Sequence, residues 1–274
     1  MRPFGERLRA ATDSRGPLCV GIDPHASLLR GWGLTDDAAG LETFAMTCVE
    51  ALAAEVAVLK PQSAFFERHG SRGVAVLERL ISAAREQGAL VVLDAKRGDI
   101  GSTMQGYADA YVDQGSPLAA DAVTVNPFLG FESLRPMLDT AHAHGAGVFV
   151  VALTSNPEGW QVQRARGRHG SVAGEVLDAI RVENVGAEPM GSVGAVVGAN
   201  LASLDEDVAI NGPLLAPGFG AQGGGPDDLR RLFSKVPQLL LPSTSREVLR
   251  TGPGITALRA AARRTIGVVE ATVG

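Results

Sequence analysis

Cysteine is almost absent: Cys19 and Cys48 are the only two in 274 residues. That rules out a disulfide framework and any metal site of C-x-x-C spacing, and leaves both thiols as small core residues. The five histidines form no cluster with carboxylates at metal-ligand spacing. His142 and His144 fall near the end of a helical segment, where a surface position or a contact with the helix dipole is expected, and His25 follows the first apolar run. No stretch approaches the roughly 18 uninterrupted apolar residues of a spanning helix. There is no block of clustered Lys and Arg, and the formal net charge is −5, which argues against a nucleic-acid or anionic-membrane surface. The opening "MRPFGERLRAATDS" scatters its charges and lacks the apolar stretch and cleavage site of a secretory signal, so a cytoplasmic location is expected. Linkers and low-complexity segments are missing as well.

What is present suits a large core. Apolar residues make up 45% of the chain and charged residues 20%, an ordinary globular balance. The length accommodates two ordinary domains or one large α/β barrel. Eight short apolar runs decide between them: 18–23, 56–62, 90–96, 122–127, 148–156, 193–199, 213–220 and 238–245. All are too continuous for strands exposed on one face. Amphipathic stretches separate them, at 40–55, 73–88, 106–113, 131–145, 170–186 and 226–236. Gly88 and Gly145 stand as helix stops, and Pro226 followed by Asp227 and Asp228 marks a helix start. Residues 200–212 are too short and polar for a helix. The alternation predicts a single (β/α)8 TIM barrel domain over residues 1–274.

A barrel of this kind builds its active site at the C-terminal ends of its strands. Those ends carry Asp23; Lys60 and Gln62; Asp94, Lys96 and Asp99; Asn126; Thr154 and Ser155; Gln222; and Arg246. The densest group lies in "LVVLDAKRGDIGST" (90–103). Residues two apart on a strand share a face, so Asp94 and Lys96 point together, about 7 Å apart along the strand. Asp99 lies beyond the strand, able to fold back onto the site or reach toward a neighbouring molecule. Flanking carboxylates favour the charged form of Lys96, which suits an acid rather than a Schiff-base nucleophile. The structural alternative is a buried ion-pair network closing the barrel mouth.

The last two strand ends point to an anion. In "PGFGAQGGGP" (217–226), Gly218, Gly220, Gly223 and Gly224 leave backbone N–H groups accessible, Gln222 adds an amide, and Arg246 adds a two-pronged donor. Barrels often bind phosphate at these loops, so a phosphorylated ligand is expected. The same loop matches G-x-G-x-x-G from Gly218 to Gly223. It comes late in the chain, between Pro217 and Pro226, with no acidic residue about 20 residues on, and this sets a dinucleotide cofactor aside.

"DAKRGDIGST" resembles the D-x-K-x-x-D-I-x-x-T signature of the orotidine 5'-phosphate decarboxylase family, in its longer bacterial branch. "GIDP" at the first strand, "LKPQ" with "AFFE" at the second, "TSNPEG" at the fifth, "PGFGAQGG" at the seventh and "SREV" at the eighth extend the likeness from about Leu18 to Arg250. The resemblance implies cofactor-free, metal-free loss of CO2 from orotidine 5'-monophosphate to give uridine 5'-monophosphate in pyrimidine biosynthesis. It places Lys96 as the cation and proton donor to carbon 6, and Asp94 beside the substrate carboxylate. Asp23 and Lys60 match residues that hold the ribose, Lys60 also extending the charge network. Thr154 and Ser155 match the contacts to the pyrimidine, and Gln222 and Arg246 the phosphate binders. Asp99, Ile100 and Thr103 match residues that enter the partner subunit's site, which implies a homodimer. Gln62 departs from the asparagine of some relatives. The basic run at 163–170 has no counterpart in the family, and a solvated loop is expected there.

The readings left beside this one are a phosphosugar enzyme on the same barrel (a magnesium-dependent sugar-phosphate decarboxylase, an aldolase or an epimerase) and a non-catalytic barrel that binds a phosphorylated metabolite.

Overall fold

The computed structural model describes residues 2–221 and 223–273. Each apolar run forms a parallel strand: β1 (Cys19–Ile22), β2 (Val58–Pro61), β3 (Leu90–Arg97), β4 (Ala122–Val125), β5 (Gly147–Leu153), β6 (Val193–Val197), β7 (Leu214–Pro217) and β8 (Leu240–Thr244). They pair in chain order, and Cys19 and Val20 meet Ser243 and Thr244 to close the sheet. The result is a (β/α)8 TIM barrel. One face of each strand fills the barrel and the other packs on helices, so the strands are buried on both sides and their sequences run apolar without alternation.

The helices are α1 (Phe4–Arg15), α2 (Ala26–Gly31), α3 (Ala38–Leu52), α4 (Ser63–Glu67), α5 (Gly70–Glu86), α6 (Gly101–Tyr111), α7 (Arg135–Ala143), α8 (Trp160–Gln163), α9 (Val172–Glu183), α10 (Pro226–Phe233), α11 (Arg246–Leu249) and α12 (Ile255–Val273). None of them is long and apolar enough to cross a membrane. Their starts are chemically specified. The Asp37 carboxylate accepts the Gly40 amide at 2.9 Å before α3, and the Ser171 hydroxyl accepts the Gly174 amide at 3.0 Å before α9. Pro226 opens α10, while Asp228 accepts the Gly225 amide at 3.0 Å. Gly88 and Gly145 follow α5 and α7 with φ of 90° and 63°, the left-handed conformation that ends a helix.

As the polar stretch at 200–212 suggests, no helix joins β6 to β7. Buried Leu201, Val208 and Ile210 cover the core there instead. Asn184 anchors the segment by donating to the Val193 and Ile210 carbonyls at 2.7 and 2.9 Å.

Sequence patterning assigned no helix to either end of the chain, yet α1 closes one end of the barrel. Phe4 is fully buried and meets Phe149 edge-on, with ring centroids 5.9 Å apart. It lies over Gly147, where any β-carbon would overlap its ring. Arg7 pairs with the buried Asp121 and donates to the Gly145 carbonyl at 2.9 Å. Asp121 also accepts the Val91 amide at 2.9 Å and lies 3.6 Å from Arg85. The strand-start end of the barrel interior is thus plugged by side chains of α1 and its ion-pair partners. Replacing Phe4 by Ala is expected to cost about 3–5 kcal/mol, read as a lower urea midpoint with an unchanged slope. A loss below about 1 kcal/mol would show that α1 is not part of the cooperative core.

Candidate active site

The strand C-terminal ends enclose a cavity of about 220 Å³. Asp23, Lys60, Gln62, Asp94, Lys96, Thr154, Ser155 and Arg246 all line it, so most of the polar side chains singled out from the sequence converge. Gly218, Phe219 and Ala221 form the wall after β7, and Gly220 stands just behind it. Gln222 lies outside the described residues. Asp99, Ile100 and Thr103 do not line this cavity. The Asp99 carboxylate accepts the Ile100 amide at 2.8 Å, Ile100 is 62% exposed, and Thr103 is exposed on α6.

At the cavity floor one carboxylate holds two ammonium groups. Asp94 Oδ2 accepts from Lys60 Nζ at 2.8 Å, and Asp94 Oδ1 accepts from Lys96 Nζ at 2.5 Å. Burial is the largest single influence on Asp94 and opposes its ionisation. The charges and hydrogen bonds of Lys60 and Lys96 together outweigh it and hold the carboxyl below its ordinary range. Burial likewise works against charge on Lys60, but Asp94, Asp23 and the hydrogen bond hold its ammonium form above the usual lysine range. Both side chains are sealed off from solvent, whereas Lys96 keeps 42% of its side chain exposed and faces the mouth. Beneath them the thiol of Cys19, on β1, is pushed up to about 11 by burial. It is a core thiol.

The strand that carries this array is not regular. Leu93 stands opposite Val123 and Arg97 opposite Val125, so Asp94, Ala95 and Lys96 together face the single residue Thr124. Lys96 takes φ +47°, in the left-handed region, which costs a non-glycine residue about 1–3 kcal/mol. Thr124 Oγ1 accepts the Ala95 and Lys96 amides at 3.0 and 2.9 Å and donates to Asp94 Oδ1 at 2.9 Å. From the other side Gln62 donates to the Asp94 carbonyl at 3.1 Å. Patterning missed Thr124. Its one signal was a hydroxyl inside the apolar run "AVTV".

Across the cavity, Thr154 and Ser155 begin the turn after β5. Gln163 clamps that turn, accepting the Thr154 amide at 2.9 Å and donating to the Thr154 hydroxyl at 2.6 Å. Gln163 too went unnoticed, inside the basic run. The rest of that run points elsewhere, with Arg164 pairing with Asp205 and Glu206. Asn126 is a turn former whose side chain accepts the Phe128 amide at 3.0 Å. Arg246, exposed at the start of α11, makes no ion pair with a described residue. Asp23 Oδ1, Thr244 Oγ1 and Ser245 Oγ are buried at the cavity wall and hydrogen-bond to no described residue. Buried polar atoms are normally paired, so this wall is built for a polar ligand. Among the described residues no group of three or more His, Cys, Asp or Glu is placed to hold a metal ion.

Residues 16–261 match the family described as orotidine 5'-phosphate decarboxylase / HUMPS. A curated orotidine 5'-phosphate decarboxylase from a Nocardioides species is 65% identical, covering 91% of this chain and 93% of the relative. Another, from Streptomyces coelicolor, is 62% identical over 96% of each. A crystal structure from Streptomyces avermitilis, assigned as the same decarboxylase, superposes with a TM-score of 0.98 at 59% identity, covering 100% of this chain and 96% of that one.

The charge array sets a pH dependence. A carboxyl held below its ordinary value stabilises the fold fully above about pH 4 and loses that contribution as the pH falls further. An ammonium held above its ordinary value contributes fully below about pH 10 and loses it as the pH rises further. Asp94→Asn, which leaves two cations without their carboxylate, is expected to cost about 3 kcal/mol. In denaturant titrations the gap from wild type should narrow below about pH 4, where protonation of Asp94 removes the same charge from the wild type. A gap that keeps its full size down to about pH 2 would contradict the assignment of Asp94 as the ionised partner.

Proposed function

The chain belongs to the orotidine 5'-phosphate decarboxylase / HUMPS family, and from that membership we propose that it converts orotidine 5'-monophosphate to uridine 5'-monophosphate and CO2 in pyrimidine biosynthesis, without a cofactor. The observation that carries the reading is the Lys60–Asp94–Lys96 array on the cavity floor, faced by Arg246 and by the Thr244 and Ser245 hydroxyls, which hydrogen-bond to no described residue. A phosphate fits the Arg246 end, with the backbone around Gly220 beside it; Gln222, outside the described residues, is a further phosphate binder on the family resemblance alone. Asp23 and Lys60 take the ribose hydroxyls, with Gln62 bracing the strand end behind them. Thr154 and Ser155 take the pyrimidine edge, and carbon 6 with its carboxylate then falls over Asp94 and Lys96.

In this pose the bond from carbon 6 to the carboxylate breaks, its electron pair stays on the ring carbon and CO2 departs. The Lys96 ammonium meets the growing negative charge and passes a proton to carbon 6. Its neutral amine regains a proton from water, to which its exposed side chain has access. Attraction that strengthens as the anion forms lowers the barrier without tightening the ground state. Asp94 holds the ammonium in place and repels the substrate carboxylate until it leaves as a neutral molecule.

The site also reads as shared between two subunits. Asp99, Ile100 and Thr103 do not line their own cavity, and Ile100, 62% exposed, adjoins a second exposed apolar loop, with Phe128 71% and Leu129 53% exposed. The two loops meet where Gly98 packs against the Asn126 carbonyl. A homodimer that covers this rim would carry Asp99 into the partner's mouth. The buried, unbridged thiols of Cys19 and Cys48 accord with a cytoplasmic setting.

Protein purified in chelator should change the ultraviolet absorbance of orotidine 5'-monophosphate, and no change would remove this reading. Activity only on a sugar phosphate with magnesium, or a borohydride-trapped adduct at Lys96, would favour the phosphosugar alternatives. Lys96→Ala should lose about 10⁴-fold or more in kcat while still binding uridine 5'-monophosphate; wild-type turnover would displace Lys96 as proton donor. Mixing inactive Lys96→Ala and Asp99→Ala subunits should restore about a quarter of wild-type activity, since half of the dimers then carry one intact site. No recovery after subunit exchange would make each site self-contained.

A further inference from the structure

Thr124 touches none of the cavity, yet it is fully buried and every hydrogen-bonding position of its hydroxyl is in use. A hydroxyl offers one donor and two acceptor positions. Here both acceptor positions take backbone amides of the β3 bulge, and the donor goes to Asp94 Oδ1, the same oxygen that receives Lys96 Nζ. The bulge explains the need. With three β3 residues crowded against one of β4, the Ala95 and Lys96 amides leave the regular ladder and require another acceptor. A single oxygen therefore holds the backbone of Lys96 in its left-handed turn and steers the carboxylate that orients the Lys96 ammonium.

We propose that Thr124 is a positioning residue of the decarboxylation: its hydroxyl sets the bulge and carboxylate geometry that aims Lys96 Nζ at the reacting carbon, without contacting substrate. The proposal rests on the decarboxylase reading above. It differs from a merely structural role in what it predicts for catalysis. A residue that only fills the core would change stability while leaving turnover per folded molecule intact, whereas misplacing a proton donor lowers kcat and spares ground-state binding.

Thr124→Val keeps the shape and removes the hydroxyl, and Thr124→Ser keeps the hydroxyl and removes a methyl group. Assayed with orotidine 5'-monophosphate, the valine variant should lose about 10- to 100-fold in kcat with KM within about threefold of wild type, and the serine variant should recover to within about threefold. Hydrogen exchange at the Ala95 and Lys96 amides should quicken in the valine variant and not in the serine variant. Wild-type kcat in Thr124→Val, a serine variant as slow as valine, or exchange unchanged in both would overturn the proposal. If the valine variant does not fold, Thr124→Cys takes its place, since a thiol accepts hydrogen bonds only weakly. An intermediate loss of kcat is then expected, and full turnover overturns the proposal. A wild-type protein inert toward orotidine 5'-monophosphate defeats the decarboxylase reading itself; amide exchange then decides separately whether the hydroxyl holds the bulge.

Discussion

One carboxylate shared between two ammonium groups governs the open end of this barrel. Asp94 is almost sealed from water and stays ionised only because Lys60 lies 2.8 Å from one oxygen and Lys96 2.5 Å from the other. A buried charge is costly unless it is paired and hydrogen-bonded. Thr124, which also donates to this carboxylate, helps fix the direction of a lysine, while Gln62 holds the backbone behind it through the Asp94 carbonyl. The stability of the group and its chemical use are thus one arrangement. Lys60 is locked below, while Lys96 is held by the same carboxylate yet keeps 42% of its side chain exposed at the mouth.

The rest of the fold divides the labour between the two ends. At the strand starts Phe4, Arg7, Asp121 and Arg85 make a dense plug that needs no ligand to complete it. At the strand ends Asp23, Thr244 and Ser245 keep buried polar atoms that no described residue satisfies. Conformational freedom is withheld at one end and hydrogen-bonding capacity is left open at the other, the usual polarity of this architecture.

The barrel was legible in the sequence because burial on both faces makes each strand a continuous apolar run, and all eight runs became strands. The converging side chains were legible because barrel chemistry gathers where those runs stop, and Asp94, Lys96, Lys60 and Arg246 were found on that rule. The rule does not see distortions. Two-residue periodicity places Asp94 and Lys96 on one side but some way apart, whereas the bulge and the left-handed Lys96 bring their charged groups into direct contact. Thr124 escaped because a single hydroxyl in an apolar run carries no periodic signal, and Asn126, taken from the same strand end, serves only a turn. Helix α1 escaped for a different reason. Its buried face is narrow, with Phe4, Leu8 and Ala11 inward among many charges, so its place is decided by the barrel end it covers.

The unequal shielding of the two mouth lysines has a practical side. The chain contains only three lysines, Lys60, Lys96 and Lys235, its other strong cations being arginines. Lys235 is exposed just after α10, where the chain turns toward the start of β8. An amine-reactive linker attached to a bead therefore finds, among lysine side chains, one open anchor on the plugged side and one at the rim. On the decarboxylase reading, a nucleotide held in the mouth during coupling would cover Lys96 and leave the molecule grafted through Lys235, its mouth turned to the bulk liquid.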